Sequence, residues 1–264
     1  MRYACVLALF AAGVVFGGAA QDGADYTMQN GKTCGPTGSA VKAEVKALNV
    51  RKNQFGMPTA DDIDTDVTLT AMLAPGEDED RFDATKAARI VGLVMDVKVG
   101  GIETCNCKAT NPIDRDTHIE LAAAPGAPNN QRVIVEVTPR FRQQMKDKDI
   151  DWKTLTLQSH GAAGIKGKWV EVTGWLLFDI EHTDGAENSS PGKPGNWRAT
   201  CWEIHPITEL TVLDGPPANH HAIEPATLRV MHEAHAKQLA RNTSRRDAVE
   251  KRNKLNREKF DEDK

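Results

Sequence analysis

Gly167-Lys168-Trp169-Val170-Glu171-Val172-Thr173-Gly174-Trp175 is rich in β-branched and aromatic residues, with Val170 and Val172 alternating with Glu171 and Thr173. That pattern belongs to an extended strand with one buried face, not to a helix. Working outward, four more segments read the same way, at residues 88–99, 117–123, 132–138 and 200–213, and the quoted stretch itself extends over 168–180. Turn residues punctuate them at Gly100-Gly101, Pro125-Gly126 and Pro191-Gly192. Residues 139–160 are more polar, carrying Gln143, Gln144, Met145, Lys146 and Lys148. A short helix fits there, with Pro139 near its start.

Three strands, a helix and two further strands is the order of an OB-fold, whose strands form a Greek-key barrel. A β-sandwich would ordinarily show about seven strands and no central helix. The expected class is therefore mainly β: a five-stranded OB-fold-like Greek-key barrel with an N-terminal extension and a C-terminal charged helix. Along the chain we expect a signal peptide at 1–20, a flexible linker at 21–40, an extension packing on the barrel at 41–85, the barrel domain at 86–214 and a charged helical tail at 215–264.

The first residues set the compartment. Met1-Arg2, an apolar run to Phe16 and the small residues Gly17-Gly18-Ala19-Ala20 follow the order of a cleavable export signal. The run is shorter than the ~20 residues that span a bilayer, and no later segment is apolar enough to do so. Export predicts a secreted or periplasmic protein, without a transmembrane segment once the signal is removed. Cys5 leaves with the signal, so Cys34, Cys105, Cys107 and Cys201 remain. An even number in an oxidising compartment points to disulfides. Three pairings are open, of which Cys201 with Cys105 or Cys107 is preferred, because direct closure of Cys105 on Cys107 would be strained.

The net charge of −4 gives no positive field for nucleic acid or anionic membrane. From Leu228 onward, however, 11 Lys/Arg stand against 7 Asp/Glu. The expectation is a solvated terminal helix fraying toward Lys264, with a basic docking arm for an acidic envelope partner as the sharper reading. Upstream, Val67, Leu69 and Ala71 alternate as a short strand could, and Asp61, Asp62, Asp64 and Asp66 read as a solvated acidic turn, since the glycine and distal glutamate of a calcium loop are missing. Asn188-Ser189-Ser190 and Asn242-Thr243-Ser244 match glycosylation sequons.

Strand alternation isolates one cluster. In Asp116-Thr117-His118-Ile119-Glu120-Leu121, inward Ile119 and Leu121 leave Asp116, His118 and Glu120 on the opposite face. In Cys201-Trp202-Glu203-Ile204-His205-Pro206, inward Trp202 and Ile204 leave Cys201, Glu203 and His205 together. His182 follows the fourth strand. Three imidazoles with nearby carboxylates could ligate Zn or another divalent metal through His118, His182 and His205, with Glu203 or Asp116 as base. Against this stands the plainer pairing of each histidine with its neighbouring acid, and the spacing matches no established zinc motif.

Asp116, Glu120 and Glu136 on the second and third strands would repel phosphate, which argues against nucleic acid. Neither a Gly-x-Ser-x-Gly nucleophile elbow nor a P-loop is present. Over roughly residues 41–213 the chain resembles a group of exported bacterial OB-fold proteins. The likeness is carried by Val97-Lys98-Val99-Gly100-Gly101-Ile102-Glu103-Thr104-Cys105-Asn106-Cys107, the Asp116 to Leu121 stretch, Val135-Glu136-Val137-Thr138-Pro139-Arg140 and Trp197-Arg198-Ala199-Thr200 running into Cys201 to Pro206. That group has no assigned activity, so the resemblance implies fold and export but no catalytic role. The leading expectation is an exported, disulfide-stabilised OB-fold binding module with a His/carboxylate surface and an unidentified ligand. The alternatives are a metal-dependent hydrolase of phosphodiesterase or nuclease type using the same cluster, and a structural envelope protein docking through its basic tail.

Overall fold

Ile119 and Leu121 alternate inward with Val133, Val135 and Val137 opposite them, and that alternation closes on itself. The computed structural model of the chain describes residues 25–144, 164–218, 223–241 and 243–260. Within them β3 (Ala87–Val99), β4 (Thr117–Ala122), β5 (Val133–Val137), β6 (Trp169–Phe178) and β7 (Trp202–Leu213) form a closed barrel in the order β3-β4-β5-β7-β6. All neighbours are antiparallel except β5 and β7, which run parallel with Val135 opposite Ile204. This is an OB-fold-like barrel, as the strand order led us to expect. The core takes Ile90, Val94, Val97, Val170, Val172, Leu176, Trp202, Ile204 and Leu210 from its strands.

Two irregularities let the long strands curve around that core. A register shift between Val94 and Asp96 resets the phase of β3, so Val94 and Val97, three apart, both point inward. On β6 the register shifts on both sides of Gly174, where a Cβ would lie 2.2 Å from the Pro206 carbonyl oxygen. Only glycine lets the two backbones approach so closely. Trp202 meets Phe82 and Phe178 edge-on, and its indole N–H donates to the Asp78 carbonyl at 2.5 Å. The Asp78 carboxylate accepts from Thr200 Oγ1, Ser189 Oγ and the Cys201 N–H, tying the start of β7 to the chain before β3.

The N-terminal part differs from the sequence expectation. Residues read as linker include a hairpin of β1 (Tyr26–Thr27) and β2 (Thr33–Cys34), with Tyr26 and Cys34 buried. A disulfide joins Cys34 to Cys107. Cys105 and Cys201 are therefore free buried thiols, and the preferred pairing through Cys201 is corrected. The Cys201 sulfur lies against Ser189 Oγ at 3.2 Å, whereas Cys105 and Cys107 sit in a tight turn and not on a strand. Helix α1 (Ala43–Lys52) follows. The alternating stretch at Val67 is helical: α2 (Leu69–Leu73) is capped by Thr68 accepting from the Ala71 N–H, and it buries Leu69, Met72 and Leu73 at helical spacing. Three residues of alternation could not distinguish the two periods.

Beyond β5, the expected 139–160 helix is present as α3 (Pro139–Gln144), and residues 145–160 lie outside the described residues. So do residues 1–20 of the expected signal and the sequon residue Asn242. Asn188 of the other sequon is buried, donating to the Ala74 carbonyl, and is closed to a glycan in the folded protein. The charged tail is two helices, α4 (Pro225–Arg241) and α5 (Thr243–Phe260), laid against the body. Leu228 enters the main core and Phe260 packs with Val45, Leu48 and Leu177. Arg245, Arg252 and Arg257 pair with Glu77, Glu79 and Asp184. Three arginines of the tail thus meet acidic residues of the same chain. Among the described residues no helix is long and apolar enough to cross a membrane.

Candidate functional site

The outer faces of β4, β5 and β7 form one surface, because the pleat that sends valines and isoleucines inward sends every alternate residue outward. Register then brings the outward residues into line. His118 lies opposite Glu136 on β5, and the parallel pairing of Val135 with Ile204 sets Glu136 beside His205. Glu136 stands between the two imidazoles, 2.8 Å from His118 Nδ1 and 3.7 Å from His205 Nδ1. The acid-x-histidine segments therefore meet through a carboxylate on the intervening strand. His205 Nδ1 is also 3.2 Å from Glu203, whose other oxygen pairs with Arg198 at 2.6 Å. On the far side Glu120 lies 3.7 Å from His118 and is bound by Lys98 and by Arg132 at 2.7 Å.

This cluster is not the open surface expected from sequence. Exposure is 8% at His118, 6% at Glu136, 2% at Asp116 and 1% at both Glu203 and His205. The covering is the chain's own. A short 3-10 turn, Thr104–Asn106, brings Cys105 and Asn106 over Asp116, with Asn106 Nδ2 donating to Asp116 Oδ2 at 2.6 Å. Helix α1 holds that turn through Asn49, which donates to Thr104 Oγ1, and Asn53 beyond it donates to the Cys105 carbonyl. Lys52, at the end of α1, reaches Glu103, Asp179 and Glu181 at 2.9, 3.0 and 3.1 Å. One ammonium thus joins α1, the turn and the excursion between β6 and β7. That excursion also supplies Trp197, whose ring lies 6.0 Å from that of His118 and 5.1 Å from that of His182.

The charges do not balance without help. Seven carboxylates, those of Glu103, Asp116, Glu120, Glu136, Asp179, Glu181 and Glu203, meet four permanent cations in ion pairs, Lys52, Lys98, Arg132 and Arg198, and buried Arg140 and Arg142 also act on Asp116. Protons make up most of the difference. Burial opposes charge on His118, yet Glu120 and Glu136 raise it to about 9. Burial likewise opposes charge on His205, which Glu203, Glu136 and Asp116 raise to about 9. Burial pushes Asp116 up to about 6 against the pull of His205. Glu136 is held down to about 2 despite its burial, by the hydrogen bond to His118 and the charge of His205.

A pH dependence follows with a definite sign. Both imidazoles bind protons more tightly folded than unfolded, where their pKa is about 6.5. The stability they confer is complete below about pH 6.5 and is lost as pH rises through about 9. Asp116 acts in the same direction at lower pH, its contribution being lost as pH rises through about 6. Glu136 acts oppositely, contributing above about 4.5 and losing its effect as pH falls through about 2. The unfolding temperature of the metal-free protein should therefore fall steadily between pH 6.5 and 9.5. Thermal denaturation across that range checks it, and a flat profile would show the imidazoles to be neutral.

The three histidines proposed as ligands do not share one site. Among the described residues, two groups bring potential ligand atoms within 4.8 Å of one another: Asp116, Glu136 and His205, and Glu103, Cys105 and Asp116. His118 belongs to neither. His182 is set apart on the excursion, its side chain 31% exposed, 3.8 Å from Asp179 and edge-on to Trp197. Of the candidate bases, Asp116 lies inside both groups, whereas Glu203 holds His205 from outside. Sequence reasoning missed Glu136 as a site residue, although a single acid in Val-Ile-Val-Glu-Val carries the same outward signal as His118. Lys52 and Glu103 had no such signal.

Several polar atoms here lack partners. His205 Nε2, Asp116 Oδ1 and Asn106 Oδ1 are buried without a hydrogen bond, and His118 Nε2 has only its 3.7 Å ion-pair contact with Glu120. Each atom without a partner ordinarily costs about 1–3 kcal/mol, and several around one cluster make an incompletely satisfied network. Fold and site together define an OB-fold-like barrel whose β4–β5–β7 face encloses an acid and imidazole cluster. Comparison with protein-family models and with curated proteins finds no match to this chain.

Proposed function

We propose that this protein is an exported binding module that takes a small cation into the enclosed β4–β5–β7 face. The observation that carries the reading is the enclosure, by the chain's own turn, helix and excursion, of a carboxylate-rich cluster in which Asp116 Oδ1 and His205 Nε2 have no hydrogen bond. Side chains with 8% exposure or less are within reach of an ion or water but not of a polymer lying across the barrel. The unpartnered Asp116 oxygen sets the sign of the guest, since a buried carboxylate atom without a partner is costly. Export is supported by the order of residues 1–20 and by the Cys34–Cys107 disulfide, which suits an oxidising compartment. A phosphodiesterase or nuclease would need its acid and histidine side chains open to a substrate backbone. Three of the basic residues on which a structural protein docking through its tail would draw are paired with the body.

Amide hydrogen exchange tests this reading. Added metal ions or organic polyamines should slow exchange in residues 101–109, 113–118 and 179–205, while oligonucleotides and soluble glycans should change nothing. Protection of β4 and β5 by a polymer, with none by any cation, would overturn it.

A further inference from the structure

We propose that Asp116, Glu136 and His205 form a binding site for one first-row divalent metal ion of the Zn2+ class, an inference that rests on the cation-binding reading above. Three observations on different residues converge on it. The ligand atoms of this trio already lie within 4.8 Å of one another. Two ligands of a tetrahedral ion bonded at about 2 Å stand roughly 3.4 Å apart, so the set closes with movement of its side chains, His205 now approaching Glu136 through Nδ1 at 3.7 Å. Next, the trio includes buried atoms with nothing to bind, Asp116 Oδ1 and His205 Nε2, at residues 2% and 1% exposed. A coordinated ion satisfies a carboxylate lone pair and an imidazole nitrogen together.

The third observation is what holds His205 from behind. Its Nδ1 is engaged by Glu203, and Glu203 is fixed in turn by Arg198. A carboxylate on one ring nitrogen sets the tautomer and orientation that leave the other nitrogen as a ligand, the usual support of a metal-bound histidine. Arg198 and Glu203 are positioning residues in this arrangement, since they act through His205. One imidazole with two carboxylates suits Zn2+ or Mn2+. It is a poor match for Ca2+, which takes six to eight oxygens.

The neighbouring group, Glu103, Cys105 and Asp116, does not offer the same opportunity. Lys52 Nζ lies 2.9 Å from Glu103 Oε2, the oxygen nearest Cys105 Sγ. A metal there would have to displace a buried ammonium that two further carboxylates hold. Burial with Glu103 and Asp116 alongside also keeps the Cys105 thiol protonated, with its pKa well above the ordinary value. Asp116 Oδ2 is engaged by Asn106 and lies against Cys105, which leaves Oδ1 for the trio.

The test uses the chain from residue 21 onward, with its disulfide formed, purified without a histidine tag and stripped with chelator. Titration with ZnCl2 alone, followed by calorimetry and native mass spectrometry, should show one ion per chain. Asp116→Asn and His205→Gln should each weaken binding at least 100-fold, Glu203→Gln about 10-fold to 100-fold, and His182→Gln not at all. Circular dichroism and melting curves establish that each variant is folded. Should Asp116→Asn or His205→Gln not fold, the electronic spectrum of Co2+ in the wild type still decides, with nitrogen and oxygen ligation expected and a thiolate charge-transfer band counting against the assignment. Absence of stoichiometric metal in the folded wild type, or Zn2+ binding unchanged in both Asp116→Asn and His205→Gln, would overturn the site. If a polyamine then still protects residues 101–109, the cation-binding reading survives the loss of its metal; if no cation does, both fail.

Discussion

Replacing Lys52 with methionine is expected to remove about 3–5 kcal/mol of stability at neutral pH, the range seen when one member of a buried ion pair is deleted. The side chain is 1% exposed and its ammonium lies within 3.1 Å of Glu103, Asp179 and Glu181. Although burial alone would lower its pKa, Asp179, Glu103 and Glu181 hold it well above the ordinary lysine value. Methionine keeps most of the volume, so the cost of a cavity is small and the effect measured is that of the missing charge. Three carboxylates would then share the space without the ammonium that touches all of them.

The sign with pH separates this electrostatic loss from a packing loss. The Asp179 carboxyl is held below its ordinary range, against its burial, first by Lys52 and then by His182. Glu103 is lowered, again against burial and chiefly by Lys52. Such depressed acids contribute stability above their unfolded pKa of about 4, and that contribution disappears as pH falls through the still lower folded value. In Lys52→Met the contribution is already absent, so the difference between wild type and variant should be full at pH 7 and should shrink as pH falls below about 4. Urea denaturation at pH 7 and pH 3.5 measures both. A loss of less than 1 kcal/mol at pH 7, or a loss independent of pH, would mean that Lys52 is not the latch on this covering.

The contrast between Lys52 and His118 explains what the sequence revealed. His118 announces itself through period two: a polar residue between Thr117 and Ile119, repeated at Glu120, must face away from a barrel interior, and the same logic holds at Glu203 and His205. All five barrel strands were legible for this reason, and so was their topology, because few arrangements accommodate three strands, a helix and two strands. The covering was not legible. Lys52 ends helix α1 and Glu103 lies in the loop after β3, 51 positions away in sequence, so no single period relates the direction of one to that of the other. Nothing local signals that Lys52 meets both Glu103 and Asp179. The cluster was therefore expected on a surface, and its enclosure is a property of long-range packing alone. The helical character of the tail was legible from its spacing, whereas its packing was not: Leu228 and Phe260 enter the core clusters and three arginines meet Glu77, Glu79 and Asp184.

Removing the Cys34–Cys107 disulfide should cost about 4 kcal/mol, from the chain entropy released when a loop of roughly this length opens; the two cysteines are 73 residues apart. The bond ties the β1–β2 hairpin to the turn that covers Asp116, and it fastens that turn at an unusual place. Cys107 and Lys108 both have positive φ, 54° and 53°, a conformation that side chains other than glycine adopt at a cost of order 1 kcal/mol each or more. Their amides donate to the carbonyls of Thr104 and Glu103 at 2.9 Å, so the turn is closed by its own hydrogen bonds once the disulfide holds it down. In a Cys34→Ala, Cys107→Ala variant those bonds would have to retain two left-handed residues unaided. We expect the turn to loosen before the barrel does, because β4, β5 and β7 keep their own core of Ile119, Val135 and Ile204. Hydrogen exchange should then rise in residues 101–109 under conditions where β5 stays protected, and Zn2+ affinity should fall along with stability. A Cys105→Ala background removes the free thiol that could otherwise form a substitute bond on partial reduction. Urea denaturation gives the stability change; a shift under 1 kcal/mol, or exchange rising uniformly across barrel and turn, would show that the disulfide does not act as a local clamp on the site.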